Sequence, residues 1–121
     1  MGLDLTLLFT KETIGCSGNV FAYSRLSFDR DYRLFRQIIE IEGSKPIIKS
    51  IIFPPEIFVS VYKDEGLDNT REDAYGTELT YVSAKELKKL KVYKESSDFN
   101  KAIKAFISAL PDNYFIIFYW S

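Results

Sequence analysis

Histidine is absent from this chain of 121 residues, and cysteine occurs once, as Cys16. The first absence removes the usual general acid/base near neutral pH, the commonest zinc ligand and the base partner of a Ser or Cys nucleophile. The second removes any intramolecular disulfide, so a reducing, cytoplasmic setting is expected. An excess of either charge is also missing: sixteen basic residues face seventeen acidic ones, for a net charge of -1. Nucleic-acid binders carry a basic stripe and DNA mimics a heavily acidic surface, and this balance supports neither. No apolar run approaches the ~18 residues of a membrane span. The start, Met1-Gly2-Leu3-Asp4, lacks the basic segment and apolar stretch of a signal peptide, so none is expected. Gly2 and Thr6 fit the short myristoylation pattern, but Leu3, Leu5 and Leu7 read more simply as a strand that begins at once.

Aromatic side chains are plentiful, with ten Phe and eight Tyr, and hydrophobic residues make up 46% against 27% charged. That balance is globular, and the length suits one domain with a core that needs no covalent or metal staple. Each buried ring removes a large apolar area from water, while exposed Tyr and Trp are favoured anchors in protein interfaces.

Residues 3–10 alternate, with Leu3, Leu5, Leu7 and Phe9 on one face, and predict a half-buried strand. A glycine-bearing loop over 13–19 and a second strand over 20–27 complete an expected wide hairpin. Asp29 is placed as an N-cap for a helix over 30–41, which Gly43 and Pro46 end. Strands follow at 57–62 and 78–82, separated by a polar stretch over 63–77 that reads as a long loop. Ser83-Ala84-Lys85-Glu86 has capping-box spacing and opens a short helix. A second helix, over 98–110, places Phe99, Ala102, Ile103, Phe106, Ile107 and Leu110 at helical spacing. The closing run from Tyr114 to Trp120 is apolar without alternation, the mark of a strand covered on both faces and central to its sheet. The order implies a single α+β domain over 1–121, a mainly antiparallel sheet with about three helices packed on it.

Few motifs carry chemistry. Cys16 lies in a Gly-Cys-Ser-Gly turn, but no histidine is present to make its thiolate, and turn geometry alone accounts for the glycines. Counting Asp64 as the first position of a calcium loop puts Asn69 where glycine is required and Tyr75 where the bidentate Glu belongs, so that motif fails. Lys85, Lys88, Lys89, Lys91 and Lys94 form the most basic cluster, which a solvated face of a short amphipathic helix explains. Gly76 reads as a turn before the 78–82 strand. Tyr23, Arg25, Tyr62, Tyr75 and Tyr81 have the chemistry of either a binding surface or sheet packing.

Three places carry a resemblance: the opening Met1-Gly2-Leu3-Asp4-Leu5-Thr6-Leu7-Leu8, the middle segment Tyr75-Gly76-Thr77-Glu78-Leu79-Thr80-Tyr81-Val82, and the close, Leu110-Pro111 with Tyr119-Trp120. In these the chain resembles a group of small uncharacterised proteins found in phages and bacterial prophage regions. The group often has a proline after the opening, where Phe9 stands here, and carries histidines that this chain lacks. The resemblance implies a bacterial host cell as the setting and supplies no catalytic residue. The expected function is therefore non-enzymatic: an accessory protein that binds a host protein, such as a defence or replication component, and blocks it. The expected docking surface is Tyr62, Asp64, Glu65, Asp68, Glu72, Asp73, Tyr75 and Tyr81, with no catalytic, cofactor or metal residue assigned. The alternative is a small-ligand-binding protein or a metal-dependent enzyme using the carboxylates of 64–73.

Overall fold

The computed structural model describes residues 2–11, 14, 19–22, 24–63 and 66–121, and the side chains of all of these except Val61, Tyr62, Lys63 and Leu67. Its elements in chain order are β1 (Leu5–Thr10), β2 (Asn19–Phe21), β3 (Ser24–Ser27), α1 (Tyr32–Phe35), β4 (Ile51–Ile52), β5 (Phe58–Lys63), β6 (Gly66–Thr70), β7 (Thr80–Ser83), α2 (Ala84–Leu87), α3 (Asp98–Ala109) and β8 (Phe115–Trp120). They form an α+β fold with two sheets. One is antiparallel with five strands in the order β3-β1-β8-β7-β4, and the other has the order β2-β5-β6.

The last strand organises the rest. β8 lies at the centre of the large sheet, paired with β1 from Leu5↔Trp120 to Thr10↔Phe115 and with β7 from Thr80↔Phe118 to Ser83↔Phe115. Alternate side chains point to opposite faces of a strand. Ile116, Phe118 and Trp120 join a core with Leu34 and Phe35 of α1, Leu87 of α2 and Ile103 and Ile107 of α3. Ile117 faces the other way, into a second core with Val20, Ile57, Val59 and Leu79, and Phe115 and Tyr119 pack against it. The large sheet is thus sandwiched between helices and the small sheet, which is why β8 has no polar face.

Four sequence expectations meet a different outcome. The region 20–27 is not one strand. β2 pairs in parallel with β5, while β3 pairs antiparallel with β1, so the chain changes sheets between them. The helix over 30–41 shortens to the single turn α1, capped by Asp31, whose carboxylate accepts from the amides of Arg33 and Leu34. The Gln37 carbonyl, which a longer helix would need, instead accepts from the amides of Ile47 and Ile48, while Ile41 donates to the Ser44 hydroxyl. The returning chain outcompetes the next helical turn. The polar stretch over 63–77 contains β6, a strand at the edge of the small sheet paired with β5. One-sided exposure makes such a strand polar, and Asn69 still accepts from the Ser60 hydroxyl across it at 2.6 Å. The expected capping box is half formed. Ser83 accepts from the Glu86 amide, but the Glu86 carboxylate accepts from Lys49 N and Lys89 Nζ instead of from the cap.

α3 matches its periodicity, with Ser97 as its N-cap accepting from the amide of Asn100. No helix among the described residues is long and apolar enough to cross a membrane.

Candidate functional site

Between β6 and β7 the chain makes a tight hairpin over residues 71–79. Glu72 and Glu78 face each other in an antiparallel bridge, and Leu79 N donates to Arg71 O at 2.8 Å. At the tip, Gly76 N donates to Asp73 O and Asp73 N to Thr77 O, while Gly76 takes a φ of 78°. A turn closed by a left-handed residue is the usual three-residue hairpin connection, and glycine enters that region without steric penalty. Asp73 locks the turn. One carboxylate oxygen, Oδ1, accepts from both Tyr75 N at 2.9 Å and Thr77 N at 3.1 Å.

That turn displays Tyr75. Its side chain is 53% exposed, more than any other described aromatic, and its hydroxyl donates to Gly2 O at 3.3 Å. The hairpin is tied to the body on two sides. Ala74 N donates to Trp120 O, and Arg71 Nη1 donates to the carbonyls of Pro54 and Ile57 at 2.7 and 2.8 Å.

Beside Tyr75 lies an open groove of about 270 Å³. Leu3, Ile39, Tyr75 and Trp120 supply its apolar lining, and Ser50, Thr77 and Thr80 its hydroxyls. Asp73 and Glu78 add two carboxylates. Neither these two nor Glu72 forms an ion pair among the described residues. A second depression, of about 300 Å³, lies at the start of α3, where Arg33 pairs with Glu95 at 3.2 Å and stacks 4.2 Å from the Tyr93 ring centre. Of its other charged side chains, Arg30 pairs with Asp4 and Asp31 caps α1.

The expected docking residues divide. Glu72, Asp73 and Tyr75 come together on the 71–79 hairpin. Asp68 is exposed on β6, in the small sheet. Tyr81 does not join them. It is 9% exposed, with edge-to-face contacts to Phe53 and Phe115 at 5.5 and 5.9 Å, so it packs in the core and is no surface anchor. Asp64, Glu65, Cys16, Tyr23 and the Tyr62 side chain lie outside the described residues. Among the described residues no three His, Cys, Asp or Glu side chains gather as a metal site. In the lysine cluster, Lys88 pairs with Asp112 at 2.7 Å and Lys89 with Glu86 at 2.8 Å.

Sequence reasoning missed Glu78, Leu3, Ile39 and Trp120 as neighbours of Tyr75. Only Glu78 had a local signal, since it follows the turn glycine by two positions and must face back across the hairpin. No protein-family model, curated protein or solved structure matches this chain.

Proposed function

We propose that the protein acts by binding another protein, with Tyr75 and the acidic hairpin around it as the docking surface. One observation carries this reading: a large, half-exposed aromatic ring on a turn that its own Asp73 has locked. A preorganised ring loses little freedom on binding, and desolvated Tyr rings surrounded by polar residues are typical interface anchors. The resemblance to phage and prophage proteins supplies the setting. The partner is a bacterial host protein, such as a defence or replication component, and the mechanism is steric occlusion without catalysis.

The test is a tagged pull-down from nuclease-treated bacterial lysate, with quantitative mass spectrometry of wild type beside Tyr75→Ala. A host protein enriched by the wild type and lost by the variant supports the reading. Equal capture by both sinks it.

A further inference from the structure

We propose that the groove beside Tyr75 takes a basic side chain, arginine in preference to lysine, from an extended segment of the partner protein. This rests on the docking reading above and names the chemistry it would recognise.

The argument is charge complementarity on an apolar floor. Asp73 and Glu78 line the groove, and Glu72 sits directly opposite Glu78 in its bridge. Like charges directly opposite one another on paired strands repel, and an inserted cation relieves that repulsion. No ion pair among the described residues supplies this cation. Arg71 is committed to the carbonyls of Pro54 and Ile57, and Arg30, on the Tyr75 side, is held by both carboxylate oxygens of Asp4 at 3.1 and 2.9 Å. The Asp73 carboxylate is already oriented by two amides on Oδ1, and its Oδ2 has no donor among the described residues. A free oxygen on a fixed carboxylate is a preformed acceptor for a charge-assisted hydrogen bond.

The apolar lining selects the shape of the guest. Leu3, Ile39 and Trp120 can cover the methylenes of a long side chain, as basic side chains bury their stems and keep the charged head at the rim. The Tyr75 ring offers a face for cation–π contact. A guanidinium is planar, weakly hydrated and able to stack on a ring while it bonds a carboxylate, which favours arginine over lysine.

The experiment titrates the 15N-labelled full chain with acetyl-Gly-Arg-Gly-amide, then with the lysine and glutamate counterparts. Arginine peptide should shift the amides of residues 73–79 and the Trp120 indole in a saturable way. Lysine should act more weakly, glutamate not at all, and Glu78→Gln should weaken the arginine peptide by about threefold, the scale of one partly exposed charge pair. The spectrum of the variant itself reports whether it is folded. No shift with arginine, an equal response to glutamate, or unchanged affinity in a folded Glu78→Gln overturns the inference. The pull-down separates this failure from the broader one. A partner lost by Tyr75→Ala in a protein that ignores the arginine peptide leaves docking standing without the basic guest. A partner retained by Tyr75→Ala removes the docking reading itself.

Discussion

The side-chain amide of Asn100 closes both backbone groups of Asp29, 71 positions away. Asp29 N donates to Oδ1 at 2.7 Å, and Nδ2 donates to the Asp29 carbonyl at 2.9 Å. Asn100 is 1% exposed. The clamp fixes the link between β3 and α1 to the first turn of α3, so it joins parts of the fold that share no strand pairing. Asn100→Ala leaves both Asp29 groups to find water and should lower stability by about 2 kcal/mol. Urea unfolding with an unchanged slope is the measurement, and a loss under about 0.5 kcal/mol would mean water replaces the clamp at no net expense.

β8 has a core on each side, so truncation on either face should be severe. Phe118→Ala, on the helix side, should remove about 3–5 kcal/mol, and Ile117→Ala, on the side of the small sheet, about 2–5 kcal/mol. Both residues are fully buried. A loss under about 1 kcal/mol at Ile117 would show that the small sheet is not a packed layer in solution.

Two backbone positions should respond with opposite sign. Gly76, at φ 78°, should lose about 1–2 kcal/mol on replacement by alanine, because a Cβ meets the following carbonyl there. Glu42 sits at φ 52° with a side chain that gains only an exposed pair to Arg36 at 3.4 Å. Asparagine tolerates this region better than glutamate, so Glu42→Asn should raise stability by a few tenths of a kcal/mol to about 1 kcal/mol. Thermal melts of both variants check the pair of signs.

Tyr75→Ala should be close to neutral for folding, with a loss below about 1 kcal/mol, since a half-exposed ring with one hydrogen bond at 3.3 Å contributes little. Chemical denaturation of this variant is the control that makes its binding phenotype interpretable. A larger loss would mean that the ring serves the fold.

The pH profile follows from carboxylates alone. Hydrogen bonding to Arg30 holds Asp4 below the usual range, Lys89 and the Lys49 amide do so for Glu86, the residue's own amide and Arg33 for Glu95, and Lys88 for Asp112. A folded-state value below the unfolded one contributes stability that is present above the unfolded value and lost as pH falls through the folded one. The loss should therefore begin near the unfolded values of about 3.9 for Asp and 4.3 for Glu and deepen below them. Without histidine, no side chain with an ordinary value near 6.5 adds a slope between about pH 6 and 8, where the melting temperature should be flat. Glu86→Gln should shrink the acid-side drop. A wild-type midpoint that moves strongly between pH 6 and 8 would contradict the assignment.

The sequence by itself determined the elements whose signal is local. The spacing of Phe99, Ile103, Phe106 and Ile107 is enough for α3, and the glycine after Asp73-Ala74-Tyr75 is enough for a turn that a left-handed residue closes. The unbroken apolar run of β8 even carried its place at the centre of a covered sheet, because burial on two faces leaves a compositional trace. Tertiary structure decided what depends on competition between distant groups. Whether the chain after Phe35 continues as helix turns on amides at Ile47 and Ile48 that take the Gln37 carbonyl, and nothing near Gln37 announces them. Whether Tyr81 or Tyr75 is the exposed ring depends on which one Phe53 and Phe115 enclose, since the two tyrosines are chemically alike. The groove is of the same kind. Leu3, Ile39, Asp73 and Trp120 have no sequence relationship, and only the pairing of the first strand with the last and the return of the hairpin against them bring their side chains to one surface.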